Sequence, residues 1–229
     1  MALRRNNTEQ GNMYDFVTLM YSPVRGRCSH DCEYCYMKRF PLGEMKLDEK
    51  DLKVDLGRGE TVFVGYTIDL FASDVPAEWI TRVLAHLREY PSNRYLLQTK
   101  NPQRLTEFID EWPSDVILAT TIETNRAGYY ESKAPDYSNR AGCIGVLSEK
   151  GYETMVTIEP IFDFDLEPMI DLIVTANPVW VNIGADSKGH NLPEPPAEKV
   201  KALVAALQEK MKVKLKRNIT RICEDLKER

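Results

Sequence analysis

The feature that most constrains the fold of this chain is a regular alternation between short β-branched or aromatic runs and amphipathic helical segments. Runs of the first kind occupy 16–21, 61–66, 94–99, 116–122, 154–158 and 179–183; each has the length and near-continuous apolar character of a buried strand. Between most of them, apolar residues recur at three- and four-residue spacing. Trp79, Val83, Leu84 and Leu87 form one such set, Leu105, Phe108, Ile109 and Trp112 a second, and Leu166, Met169, Ile170 and Ile173 a third, each making one apolar helical face. Pro76 and Pro102 stand where a first-turn proline is tolerated, Asn101 is a plausible N-cap, and Pro195 and Pro196 open a helix carrying Val200, Leu203, Val204 and Leu207. The alternation predicts parallel strands joined by right-handed crossovers, with helices outside. An open doubly wound sheet and a partial (β/α) barrel both satisfy it. Residues 212–217 alternate charged and apolar side chains like a last edge strand, followed by a short helix through Ile219, Ile222 and Leu226.

With 229 residues, 43% of them hydrophobic and 28% charged, the chain can bury a full core as one domain over 1–229. The polar stretch 1–12 is expected to be a flexible N-terminus. No apolar run approaches the roughly 20 residues that span a bilayer, and no signal-peptide core is visible, so the expected location is the cytosol, with no membrane partner. A net charge of -5 gives no global pull toward phosphate backbones, although a local basic patch is compatible with an acidic total. Residues 124–139, rich in Tyr, Ser, Asp and Pro, form the one long loop candidate and a possible lid.

Three of the five cysteines fall within eight positions. Cys28, Cys32 and Cys35 stand at C-x3-C-x2-C spacing directly after the first predicted strand. Such packing fits metal ligation in a reducing compartment better than a disulfide framework. Three thiolates on a four-iron cube leave the fourth iron open to an outside ligand, which marks a reactive site. The competing reading is a non-enzymatic interaction module: a zinc site completed by His30 or His190, or an iron-sulfur protein without turnover. Cys143 and Cys223 each stand alone in an apolar helical pattern and read as core.

At these residues the sequence resembles the radical S-adenosylmethionine (SAM) superfamily, whose signature is C-x3-C-x-aromatic-C, the aromatic here being Tyr34. The nearest likeness is to small phage- and prophage-associated radical SAM proteins of unassigned reaction, themselves similar to the spore-photoproduct-lyase group. Segments 21–28, 63–71, 96–102, 120–125, 158–160 and 181–187 carry it. The resemblance implies a partial (β/α)6 TIM-type barrel, a [4Fe-4S] cluster on Cys28, Cys32 and Cys35, and SAM as cofactor. It also implies an external one-electron reductant and a nucleotide or nucleic-acid component as substrate, in a lyase or modification reaction.

All but the first of those segments lie at carboxyl ends of predicted strands, where parallel barrels build their active sites. By position, the resemblance puts Gly65, Tyr66, Thr67 and Asp69 at the SAM amino group, with Asp69 as anionic acceptor. This segment departs from the superfamily's usual G-G-E. Thr121 and Glu123 are expected at the ribose, Arg140 or Arg126 at the SAM carboxylate, and Tyr34, Tyr36, Ile158 and Glu159 around the adenine. Lys100, Asn182 and Asp186 are expected to face SAM or substrate. For a nucleic-acid substrate, Tyr129, Tyr130 and Tyr137 are candidate stacking residues, and Lys100, Arg104, Lys214, Lys216 and Arg217 candidate phosphate contacts.

Overall fold

The computed structural model describes residues 3–7, 11–187 and 189–226. Ten strands form: β1 (Leu3–Arg5), β2 (Leu19–Tyr21), β3 (Val24–Arg25), β4 (Lys46–Leu47), β5 (Thr61–Val64), β6 (Arg94–Gln98), β7 (Val116–Thr121), β8 (Thr154–Ile158), β9 (Trp180–Ile183) and β10 (Lys212–Leu215). The helices are α1 (Ala77–Arg88), α2 (Pro102–Leu105), α3 (Tyr137–Glu149), α4 (Leu166–Ala176) and α5 (Ala197–Gln208). Eight strands make one sheet in the order β1-β2-β5-β6-β7-β8-β9-β10. From β2 to β10 every neighbouring pair is parallel, and β1 runs antiparallel beside β2. The strand alternation thus gives a mostly parallel α/β sheet, which does not close into a barrel: β1 and β10 are its two free edges.

The two faces of the sheet are covered differently. Val62, Val64, Leu97, Leu118, Val156, Val181 and Ile183 point to the helical side and pack with Leu84, Leu87, Ile144, Ile173, Leu203 and Leu207. The other face carries Met20, Leu96, Ile117, Ala119, Met155 and Trp180, and it is covered by Tyr14 and Val17, with Met13 and Phe16 packed alongside. Burying apolar side chains on both faces is the arrangement that near-continuous apolar strands require.

The segment expected to be a flexible N-terminus contributes structure of its own. Residues 1, 2 and 8–10 lie outside the described residues, but Leu3–Arg5 is strand β1, and Asn12 reaches across the sheet to Glu159 and to the amide of Asn218, 3.4 Å away. Tyr14 donates to Gln98 on β6 at 2.9 Å, Asp15 lies 3.7 Å from Lys214, and Phe16 meets Trp180 edge-on. Residues 12–16 therefore bridge the gap between the sheet's open edges with side chains.

Two other local readings change. The amphipathic stretch after Pro102 forms the short α2 and then a 3-10 turn (Thr106–Glu111), interrupted by the non-helical backbone of Phe108. The C-terminal helix is likewise a 3-10 turn (Arg217–Arg221). Cys223 is buried, but Cys143 is only half-buried, because α3 presents Arg140, Ala141, Ile144 and Leu147 to the sheet instead.

Candidate active site

The carboxyl ends of the parallel strands open into a cavity of about 980 Å³, at the upper end of the range for small-molecule sites. Cys28, Cys32 and Cys35 all line it, together with Tyr34, Tyr36, Gly65, Tyr66, Thr67, Asp69, Lys100, Thr121, Glu159 and Asp186. Glu123, Arg140, Ile158 and Asn182 do not.

The cysteine loop is held from three sides. His30 Nε2 bonds Asp69 Oδ2 at 2.9 Å, which ties the loop to the turn after β5. The Tyr36 hydroxyl donates to the Tyr66 carbonyl. From the third side comes the long loop after β7: Glu33 N donates to Glu131 O (2.8 Å), Lys133 N donates to His30 O (2.7 Å), and Ser132 Oγ lies 3.2 Å from Cys32 Sγ. The predicted lid is thus a wall of the cysteine loop.

Asp69 does not present a free carboxylate to a ligand. Besides His30 it accepts from Thr99 Oγ1 at 3.0 Å, Lys100 N at 2.8 Å and Phe71 N at 3.0 Å. Burial alone would raise its carboxyl, but His30 and these donors outweigh that and hold it below the usual range. It thereby knots β5, β6 and the cysteine loop together while it lines the cavity. Gly65 permits the turn there: at φ +80° it donates to Tyr21 O at 2.7 Å, and a Cβ would sit 2.9 Å from Ile68 O.

Glu123 and Arg140 pair with each other. Glu123 is fully buried and Arg140 is 2% exposed, and Arg140 Nη1 lies 2.9 Å from Glu123 Oε2. Tyr130 donates to the same carboxylate at 2.8 Å, and the Tyr34 hydroxyl bonds its other oxygen. Desolvation opposes ionisation, yet Arg140 and Lys100, with the two hydroxyls, keep Glu123 below the ordinary carboxylate range. These groups bond one another behind the cavity wall. Tyr34 therefore packs against Tyr130 and Phe162 and covers this ion pair. The other arginine candidate, Arg126, is bound to Asp163, Asp165 and Tyr129.

Of the cations expected at SAM, Lys100 lines the cavity. Its side chain is 20% exposed, its Nζ lies 5.2 Å from the Tyr34 ring centroid and 4.0 Å from Glu123 Oε1. Burial lowers its pKa, but Cys32 and Glu123 more than compensate, and it stays charged.

Across the cavity lies a polar group that the sequence reading saw only in part. Glu159, followed by a cis bond to Pro160, is bonded by Asn12 and by Asn218 Nδ2 at 3.2 Å, with Lys216 Nζ at 3.5 Å. Gly184 makes room for it, since a Cβ there would lie 2.9 Å from Glu159 Cδ. Tyr14 and Gln98 continue the group, with Lys216 Nζ 4.1 Å from the Tyr14 ring centroid. Two sequence signals belong to it, Glu159 in segment 158–160 and the alternation of Lys214 and Lys216 with Val213 and Leu215; nothing local points to Asn12, Tyr14 or Asn218. Lys214 lies over Phe16 and Trp180, and Arg104 is bonded to the carbonyls of Ala72 and Val75, so neither is a free phosphate contact.

This fold, a mostly parallel sheet with a cysteine-lined cavity at its carboxyl edge, is similar to solved structures of spore photoproduct lyase. A cysteine-to-alanine mutant of that enzyme with dinucleoside spore photoproduct aligns at TM-score 0.60 and 11% identity, covering 90% of this chain. A double mutant with bound AdoMet and dinucleoside spore photoproduct aligns at TM-score 0.60 and 10% identity, again over 90% of this chain. The chain spans 65% of the length of those lyase chains. No curated protein matches the sequence. Residues 14–134, more than half of the chain and including the cysteine loop, match the family described as Protein of unknown function (DUF5131), and the chain belongs to that family.

Proposed function

We propose that this chain is a radical SAM enzyme of the cytosol, folded as one domain over 1–229, in which Cys28, Cys32 and Cys35 hold a [4Fe-4S] cluster and SAM occupies the open iron. The observation that carries the reading is the placement of all three motif thiols on one wall of the strand-end cavity. A Cys3His zinc site closes its coordination with protein ligands, whereas three thiolates on a four-iron cube leave one iron open to SAM.

The residues present fit such a group. Burial, and after it the neighbouring Asp69, push the Cys28 thiol up to about 12, while the backbone groups of His30 and Asp69 and the charge of Lys100 pull the other way. Those groups would stabilise a metal-bound thiolate. A cluster held by Cys28, Cys32 and Cys35 would supply the electron for reductive cleavage of SAM and so the means of hydrogen-atom abstraction from substrate.

The chain's own residues bind, orient and exclude water. Lys100, in place of Arg140, is suited to the SAM carboxylate. Gly65, Tyr66 and Thr67 offer backbone groups for the amino end, and Tyr36 and Thr121 line the nucleoside's path. Glu159, Asp186, Tyr14 and Gln98 face the remaining space, which would receive substrate. A nucleotide or nucleic-acid component is the substrate class in keeping with the dinucleoside bound by the structurally similar lyase. The reductant would be an external one-electron donor.

The test is anaerobic reconstitution with iron and sulfide, reduction, addition of SAM and quantification of 5′-deoxyadenosine beside a Cys32→Ala control. Cluster-dependent formation is expected. One tightly held zinc per chain, without a cluster or cleavage, would overturn the reading.

A further inference from the structure

We infer that the rim of the cavity is a docking surface for a single-stranded nucleic acid, whose phosphates lie on Arg4, Arg27, Lys38 and Arg39 while one nucleotide enters the cavity. The inference rests on the proposed site only in that the entering nucleotide reaches it.

All four cations are exposed and line the mouth of the cavity, although they come from three separate pieces of chain: β1, the start of the cysteine loop, and the 3-10 turn Tyr36–Arg39. Lys38 shares Asp31 at 2.9 Å. Among the described residues, Arg4, Arg27 and Arg39 have no carboxylate partner; Arg39 instead lies 5.0 Å over the Phe40 ring. Leaving three arginines unpaired around one opening is unusual for a chain with a net charge of -5, and it creates a local field that attracts anions. Exposed aromatic side chains line the same opening: Tyr36 is 38% exposed and Phe40 48% exposed. An unpaired base can stack on such a face, and base-aromatic stacking is tolerant of sequence.

The spacing selects the partner. A free nucleotide offers one cluster of negative charge, but cations on three segments around an opening call for several phosphates in succession. A lipid surface would meet the rim but would leave the cavity of about 980 Å³ unfilled. A duplex keeps its bases stacked, whereas a single strand lays phosphates on the rim and turns one base inward. Three of the candidate phosphate contacts are engaged elsewhere: Lys214 and Lys216 on aromatic rings, Arg104 on backbone carbonyls.

The experiment is fluorescence anisotropy with a labelled oligothymidylate of about 12 nucleotides, within the usual footprint range, titrated with the full chain over a salt series. Three to four phosphate contacts predict that log affinity falls with log salt at a slope of about -2 to -3. The double variant Arg4→Glu/Arg39→Glu should bind about tenfold or more weakly, with a slope shallower by about 1 to 2. Thermal unfolding of the variant shows that it is folded, and Phe40→Ala, which removes no charge, should weaken binding without changing the slope. Equal binding by the double variant, or binding of thymidine monophosphate as tight as the oligomer, overturns the inference, as does failure of the folded wild type to bind the oligomer. The 5′-deoxyadenosine assay is run separately on the wild type: cleavage without oligomer binding sinks the docking surface alone, and salt-dependent binding without cleavage sinks the enzyme reading alone.

Discussion

The hydroxyl of Tyr34, the aromatic residue inside the cysteine motif, bonds Glu123, a fully buried carboxylate paired with Arg140 at 2.9 Å. A residue from the cysteine loop and one from the first turn of α3 thereby share an acceptor just past the end of β7. The ion pair sits behind the cavity wall and orients the loop that forms it.

Because Glu123 compensates a buried guanidinium, Glu123→Ala should cost about 3–5 kcal/mol, a fall in Tm on the order of 10 °C for a chain of this size. Thermal unfolding of the cluster-free protein measures it. Weakened SAM binding with unchanged Tm would return Glu123 to a ligand-contacting role.

The same carboxylate gives a pH signature. Its folded pKa lies below its unfolded value, so its contribution to stability is present above the unfolded carboxylate pKa and is lost as pH falls through the folded one. Denaturant midpoints taken between neutral pH and about pH 3 should decline less steeply for Glu123→Gln than for the wild type. Parallel profiles would show that Glu123 is not the coupled group.

Lys100→Met should lower the affinity of the reconstituted protein for SAM by about 10- to 100-fold, the worth of one charged hydrogen bond. Lys100→Arg should recover part of the loss. Equilibrium dialysis with SAM reads both, and unaltered affinity in the methionine variant would remove Lys100 from the SAM carboxylate.

Ser132 Oγ, 3.2 Å from Cys32 Sγ, can donate to a cluster thiolate, and hydrogen bonds to cluster sulfurs raise the reduction potential. Ser132→Ala should shift the midpoint potential to more negative values, read by an anaerobic redox titration followed by electron paramagnetic resonance. A potential equal to the wild type's would show that the hydroxyl serves only His30 O and Ala134 N, its two other partners.

Gly184→Ala would push a methyl group against Glu159 Cδ at 2.9 Å and Asn218 Oδ1 at 3.0 Å. Overpacking of that kind typically costs about 1–3 kcal/mol. Urea unfolding should show it, and Asn12→Ala, which removes one of Glu159's donors from the far side, should lower stability without the clash.

The sequence by itself determined the order of the parallel strands β2 and β5 to β10, the helices α1, α4 and α5, and the position of Cys28, Cys32 and Cys35 at the sheet's carboxyl edge. These follow from local information: apolar periods of two and 3.6, prolines at helix starts, and the rule that a loop after a parallel strand emerges at one face. Even Cys223 was legible as core, since its neighbours Ile219 and Ile222 share its apolar pattern. The tertiary structure alone decided which charged residues face the cavity. Glu123 and Arg140 look like ligands in sequence because each is polar near a strand end, but they are 17 residues apart and satisfy each other in the core. The free edges of the sheet gave residues 12–16 a gap to bridge, so that Asn12 meets Glu159 across 147 residues. The rim arginines, drawn from three segments, became one surface only when the cysteine loop folded back toward β1. In each case the partner is distant in the chain, and side-chain pairing at that range is set by packing, which no local pattern encodes.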